Sequence, residues 1–268
     1  MKGQIVLITG STDGLGREVA RAVADKGAHV IVHGRNEQRG RALVDEITQR
    51  GKGSARFYQA DLSSLDRVRD LAAAIRRDYT RLHVVVNNAG VWLSERQVSA
   101  DGHEMQFAVN YLAGFLLTRT LLPLVVESAP SRIVNVASGA QSPIDFTDVM
   151  LERPGRAAQG YGQSKLAQIM FTFDLARELE GRNVTVVALH PATMMDTTMV
   201  RATGLSPQSS VAEGLDSVMH MITARGLPSG QFYDHRRQAR AHAQAYDDEV
   251  RARLRVLSFE LTGLAEQR

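Results

Sequence analysis

Ile5-Val6-Leu7-Ile8-Thr9-Gly10-Ser11-Thr12-Asp13-Gly14-Leu15-Gly16, running on into Arg17-Glu18-Val19-Ala20-Arg21-Ala22-Val23, is the stretch whose reading decides the fold. Four aliphatic residues in a row predict a strand covered on both faces. From Arg17 onward, apolar residues at 19, 20 and 23 alternate with charges at helical spacing. Between strand and helix, the glycines at 10, 14 and 16 allow the backbone to turn tightly and approach a ligand closely. The helix start then offers free N–H groups and a positive dipole end, a site suited to a pyrophosphate.

Working outward, the same alternation recurs along the chain. Runs with strand character are Ile5–Thr9, His29–His33, Arg56–Gln59, His83–Asn87, Arg132–Val136, Val184–Leu189 and, more weakly marked, Gln231–Tyr233, with helix-length segments between them. Strand–helix–strand repetition predicts an α/β fold: a Rossmann-type, doubly wound parallel sheet flanked by helices. The 268 residues suit a single domain. Two irregular stretches, near 141–160 and 193–215, begin at the carboxyl ends of strands, where ligands bind in open parallel sheets. They are expected to shape the substrate site.

The composition is that of a soluble globule, 44% hydrophobic and 23% charged, with a formal charge of +3. The charges are mixed in sign, which argues against nucleic acid. Arg236, Arg237, Arg240, Arg251, Arg253 and Arg255 are interrupted by Asp247, Asp248 and Glu249 and are expected to form a solvated helix face. There is no cysteine, which removes disulfides and thiolate chemistry and fits a reducing, cytoplasmic setting. The run Phe115–Val126 falls short of the ~20 residues of a membrane span and is expected to be a buried helix, so no membrane partner is expected. The eight histidines are scattered, without metal spacing. Val136-Ala137-Ser138-Gly139 is not the G-x-S-x-G elbow of a hydrolase.

The second strand ends in Val30-Ile31-Val32-His33-Gly34-Arg35-Asn36. A carboxylate at such a tip would bind the ribose 2′-hydroxyl of NAD, whereas an arginine accepts the 2′-phosphate of NADP. The tip carries Arg35 beside Asn36, and Glu37 lies just beyond it. NADP(H) is therefore expected over NAD(H).

Further motifs follow in order: Asp61-Leu62, Asn87-Asn88-Ala89-Gly90, Asn110, Ser138, Tyr161-Gly162-Gln163-Ser164-Lys165, and Leu189-His190-Pro191. With the Thr-Gly-x-x-x-Gly-x-Gly form of the first turn, the chain resembles the classical short-chain dehydrogenase/reductase family along nearly its whole length. The wording of the motifs is most similar to the retinol-dehydrogenase-like branch. The resemblance implies a catalytic tetrad of Asn110, Ser138, Tyr161 and Lys165. It implies cofactor contacts from Gly10, Ser11, Thr12, Asp13, Gly14, Leu15, Gly16, Arg35, Asn36, Asp61, Leu62, Asn88, Ala89, Gly90, Tyr161, Lys165, Pro191 and Thr193. Lys165 would also hold the nicotinamide ribose, and Asn110 would order a proton-relaying water. The family often pairs its two long helices, here near Gly102–Val126 and Tyr161–Glu180, so a homodimer or homotetramer is implied. Branch members that bind membranes do so through an added hydrophobic segment, which is not expected here.

Tyr161 and Lys165, four apart in a helical segment, share one helix face. A phenol of ordinary pKa near ~10 is a poor base at neutral pH, and a neighbouring ammonium would favour the phenolate. Tyr161 would exchange a proton with the substrate oxygen while Ser138 donates a hydrogen bond to it. The chain departs from the family pattern in two places. Pro191-Ala192-Thr193 replaces the usual Pro-Gly, and Asp196 stands where a threonine is common, leaving Thr193 and Thr197 as candidates for the nicotinamide contact. Ser138 and Tyr161 lie 161 − 138 = 23 positions apart, an insertion beside the site. Val91, Trp92, Leu93, Ile144, Phe146, Met150, Met194, Met195, Met199, Val200 and Leu205 are expected to line an apolar pocket, with Trp92, Ile144, Met194, Ser138 and Tyr161 touching a bulky, mainly hydrophobic small molecule. The alternatives are an NAD-linked alcohol dehydrogenase and a non-catalytic NADP-binding sensor or scaffold.

Overall fold

In a computed structural model, which describes residues 1–265, one eight-stranded sheet runs through the molecule in the order β3-β2-β1-β4-β5-β6-β7-β8. The elements in chain order are β1 Ile5–Ile8, α1 Gly14–Asp25, β2 His29–Gly34, α2 Glu37–Arg50, β3 Ser54–Gln59, α3 Leu65–Asp78 and β4 Val84–Asn87. A single long helical run follows: α4 Met105–Phe107, a π-helical turn Ala108–Leu112, and α5 Ala113–Glu127. Then come β5 Ser131–Val136, α6 Gln159–Glu178, β6 Val184–His190, α7 Thr198–Ala202, α8 Val211–Thr223, β7 Gln231–Asp234, β8 Arg237–Ala239, a 3-10 turn Ala243–Tyr246 and α9 Asp248–Thr262.

Strands β1 to β7 pair in parallel and only β8 is antiparallel, folded back on β7. The aliphatic runs of β1, β4, β5 and β6 are buried almost end to end because a hydrophobic layer lies on each face. One layer packs α3, α5, α6 and α9 on the sheet; the other packs α1, α2 and α8. Strand β3 is different: Ala55, Phe57 and Tyr58 sit among exposed polar residues, as suits an edge. The chain order reverses between β1 and β4. At such a switch point the connections leave in opposite directions and open a crevice at the carboxyl ends of the strands. The glycine turn, the Asn87–Gly90 loop and Ser138 all follow strands that end there.

Three expectations change at the C-terminal end. Strand β8 was not expected: Arg237-Gln238-Ala239 is short and polar, and it forms because the chain reverses at His235, whose φ of 55° is left-handed. Arg236, Arg237 and Arg240 therefore flank a hairpin rather than ride a helix. Arg251 is on α9 but faces inward, 8% exposed, with its Nε 2.8 Å from Asp174 on α6. The solvated face is thus only partial, because α9 docks on the aromatic surface of α5 and α6. Tyr111 hydroxyl and Ser258 share a buried hydrogen bond at 2.6 Å. Phe259 meets Phe115 edge-on at 5.2 Å, and Arg119 lies over Phe115, Phe171 and Phe259.

The π-turn joins the expected buried helix to the residues before it. The joined run, Met105–Glu127, has 23 residues and is long and apolar enough to cross a membrane by length and composition. In this fold 56% of its most apolar window is buried inside the protein, against α3, α6 and the sheet.

Candidate active site

The glycine turn is built by close approach. A Cβ on Gly10 would lie 2.9 Å from Ala89 Cα, one on Gly16 would lie 2.3 Å from the Gly10 carbonyl oxygen, and one on Gly34 would meet Thr12. Gly10 and Gly14 also have left-handed φ, 64° and 50°. The cradle is laced to the neighbouring strand: Asn88 Nδ2 donates to Thr9 and Gly10 carbonyls, and Ala89 N–H donates to Thr9 Oγ1. At the start of α1 the N–H groups of Leu15 and Gly16 precede any carbonyl the helix could supply, and no acidic side chain sits in the first turn. Asp13 caps Gly14 and forms an exposed pair with Arg39 at 2.9 Å. Backbone packed tightly against backbone, with open N–H groups at a helix start, fits a dinucleotide pyrophosphate.

The expected cofactor residues divide by what their side chains do. Arg35 is exposed at the tip of β2. Thr12 lies between the turn and that tip. Ser11 is fully buried and donates to the Ile8 carbonyl at 2.8 Å, so its side chain shapes the turn instead of facing the crevice. Leu15 and Leu62 are core residues. Asn36 caps α2 by accepting from Arg39 N–H at 2.9 Å, and Asp61 accepts from Ser63 N–H at 3.0 Å. Thr197 lays its methyl near Gly14 and caps α7 with its hydroxyl. Pro191 is buried, and Thr193 is exposed with its hydroxyl 3.0 Å from His190 Nε2.

One residue overlooked in the sequence anchors this turn. His33 is 2% exposed. Its Nδ1 accepts from Gly10 N–H at 3.1 Å, and its Nε2 lies 3.2 Å from the Ala60 carbonyl, so the neutral ring with the proton on Nε2 satisfies both. It thereby joins the ends of β2 and β3 to the turn. Burial pushes its pKa down to about 4, below the ordinary histidine value near ~6.5. The folded chain therefore resists a proton that the unfolded chain accepts. The stability is complete above pH 6.5 and is lost as pH falls from there toward 4, by about 3 kcal/mol for this group. Thermal melts between pH 7.5 and 4.5 should show that loss, and His33→Gln should flatten the slope; a variant as acid-sensitive as the parent would show the slope to lie elsewhere.

The four tetrad residues come together at the mouth of the crevice. Asn110 sits inside the π-turn, a widened turn that recurs at functional sites. Its Oδ1 accepts from Val91 N–H at 2.7 Å, and its Nδ2 donates to the Val91 carbonyl and to Ser164 Oγ. Ser138 follows β5. Its Oγ accepts from Ala140 N–H at 3.0 Å, and it is near enough to the Tyr161 phenol to lower its pKa. Trp92 stacks on Tyr161 with centroids 5.4 Å apart. Lys165 Nζ lies 5.6 Å from the centre of the Tyr161 ring and donates to the Val136 carbonyl at 2.9 Å and Gln168 Oε1 at 3.0 Å.

The expected tuning of the phenol by the ammonium is not met in this arrangement. Burial pushes the Tyr161 phenol up, with the Ser138 hydrogen bond pulling it down. Burial also pushes Lys165 down to about 7. The reason is geometric: the lysine head is bound to two oxygens across the ring rather than to the phenol oxygen.

Of the expected substrate wall, Val91, Trp92, Leu93, Met194 and Met199 are partly exposed. Ile144 is 3% exposed and belongs to the core, its backbone held on both sides by Gln244. The insertion is tied down around Asp145, which accepts from Thr147, Arg153 and Arg156 and is held well below the usual carboxylate range by these bonds.

Known proteins agree with this construction. The sequence profile of the short chain dehydrogenase family matches residues 4–207. Retinol dehydrogenase 11 of Homo sapiens is 34% identical over 281 residues, covering 98% of this chain and 87% of its own. An uncharacterised protein from Mycobacterium paratuberculosis superposes with a TM-score of 0.82 at 28% identity, over 98% of this chain and 94% of that one. A short chain dehydrogenase from Escherichia coli CFT073, solved with NADPH, gives 0.71 at 27% identity, over 88% of this chain and 97% of that one. With the fold, the glycine turn and the Asn110, Ser138, Tyr161 and Lys165 constellation all in register, the chain belongs to the short-chain dehydrogenase/reductase family of oxidoreductases, in its retinol-dehydrogenase-like branch.

Proposed function

We propose that the protein transfers a hydride between NADP(H) and a carbonyl or alcohol carbon of a bulky, mainly hydrophobic small molecule. The observation that carries this reading is the Ser138–Tyr161 pair at the end of the glycine-turn crevice. The nicotinamide, when bound, supplies or accepts the hydride. Ser138 donates a hydrogen bond where charge develops on the substrate oxygen, and Tyr161 gives that oxygen its proton in reduction or removes it in oxidation. Asn110 and Lys165 hold the polar floor beneath them. Val91, Trp92, Leu93, Met194 and Met199 offer an apolar, adaptable wall.

Arg35 and the carboxylate-free tip of β2 support NADP(H), as do relatives solved with NADPH. Arg35→Ala is expected to weaken NADPH about 10–100-fold, the worth of one charge-assisted hydrogen bond pattern, with little effect on NADH. Equal losses for both nucleotides would favour an NAD-linked alcohol dehydrogenase. The direct test is titration with NADPH and NADH, then a carbonyl panel followed at the cofactor absorbance. Turnover restricted to polar sugars or hydroxy acids would overturn the apolar wall. A homodimer or homotetramer needs a surface other than the Tyr111–Phe115–Phe171 face that α9 covers; light scattering gives the mass directly.

A further inference from the structure

Lys165 is the most deeply buried charged head among the described site residues, and its surroundings are polar in one direction only. It is 4% exposed. Behind it a file of buried polar groups runs from α6 past β5 and β4 to α5 on the same face of the sheet, linked at one step through the Gln168 backbone carbonyl. Lys165 Nζ donates to Gln168 Oε1; Thr172 Oγ1 donates to the Gln168 carbonyl at 2.8 Å; Asn135 Nδ2 donates to Thr172 Oγ1 at 2.8 Å. Asn87 Nδ2 reaches both Asn135 Oδ1 and Thr118 Oγ1 at 2.8 Å. Gln168, Thr172, Asn135, Asn87 and Thr118 are each 3% exposed or less.

An amide at position 168 is costly in a core unless it is bonded. Here its oxygen is spent on the lysine, three residues earlier on the same helix. We infer that Gln168 is a positioning residue for Lys165, which together with the Val136 carbonyl fixes the lysine head below the Tyr161 ring and keeps its proton on Nζ. This rests on the reading of Lys165 as the tetrad lysine.

The surroundings make Gln168 decisive for that proton. Tyr161 is the titratable group facing Lys165 from α6, and the neighbours on the other elements are neutral: Val136 from β5, Asn110 from the π-turn and Gly90 from the loop after β4. Burial is the cause that lowers the lysine, and the Val136 carbonyl and Gln168 Oε1 are the two acceptors that receive its N–H bonds. With an amide oxygen removed, a buried ammonium keeps a single protein acceptor.

The chain has four lysines, Lys2, Lys26, Lys52 and Lys165, so its 13Cε lysine spectrum is simple, and Lys165→Met assigns the buried resonance. The full chain is titrated by 13C NMR as parent, Gln168→Met and Gln168→Glu. The expected result is a Lys165 midpoint lowered by about one pH unit, tenfold in proton affinity, in Gln168→Met. In Gln168→Glu, which keeps an oxygen there and adds an opposite charge, the midpoint should rise. An unchanged midpoint in Gln168→Met, or a fall in both variants, would overturn the proposal. If Gln168→Met does not fold, Gln168→Glu decides alone, and a midpoint that fails to rise overturns it. In carbonyl reduction the alkaline limb of kcat/KM should move down with the same one unit in Gln168→Met. A parent without turnover would count against the hydride-transfer reading, while the lysine midpoints would still decide the role of Gln168.

Discussion

Tyr161→Phe is expected to lower kcat about 10²–10⁴-fold, the range supplied by one general acid–base group, while leaving NADPH binding within about twofold of the parent, since the proposed mechanism assigns the lost hydroxyl to the substrate oxygen and the ring itself is kept. The substitution is conservative for the architecture. The ring that stacks on Trp92 and lies over the Lys165 head is retained, and only the hydroxyl, on which Ser138 acts, is lost. Steady-state turnover on the best carbonyl, beside a fluorescence titration with NADPH, reads both quantities. Turnover within tenfold of the parent would remove Tyr161 from the chemistry and point to another proton donor. Nucleotide binding by a parent without turnover would favour a sensor.

The second large effect concerns stability. Arg251 and Asp174 form an ion pair in which both side chains are about one-tenth exposed, 10% and 11%, and Arg251 also donates to the Ala245 carbonyl and to Asp248. Removing one partner of a buried pair leaves the other charge desolvated, at a cost of about 3–5 kcal/mol. Arg255 stands 3.7 Å from the same carboxylate, so Arg251→Ala should fall at the lower end, about 3 kcal/mol. In a domain of this size that corresponds to a Tm lower by roughly 6–12 °C. The double variant Arg251→Met with Asp174→Leu should recover most of the loss, because no charge is then stranded. A double variant as unstable as the single one would assign the cost to packing instead.

Much of the architecture was legible because its signals are local. A run such as Val84-Val85-Val86 reads as a strand buried on both faces, and Gly10 and Gly16 mark a turn where backbone approaches backbone. The four positions of the expected tetrad could be picked out because they lie at readable spacings in or beside regular elements. What stayed hidden depends on contacts between residues far apart in the chain. His33 looked like one scattered histidine, yet it bonds residues 23 and 27 positions away. Arg251 belonged to a basic run until Asp174, 77 residues earlier, drew it inward. Strand β8 has no apolar pattern of its own and borrows its pairing from β7. Gln168 reads as an ordinary helix residue; only the lysine head folded back on it gives it a meaning. Ile144 looked like a pocket residue because a loop sequence does not reveal which of its apolar side chains turn inward.

The docking of α9 has a consequence for how the molecule is made. Phe115 and Phe259 meet in the finished fold, but 259 − 115 = 144 residues separate them, and a chain emerging at ~5–20 residues per second needs about 7–30 s to cover that distance. From the point where Phe171 is made, the Tyr111, Phe115 and Phe171 surface waits for α9 to cover it. Arg69 on α3 likewise waits for the Thr262 carbonyl, its partner 193 residues downstream. This aromatic surface is thus closed only once α9 has been made, and until then it offers a hydrophobic face that a chaperone could hold.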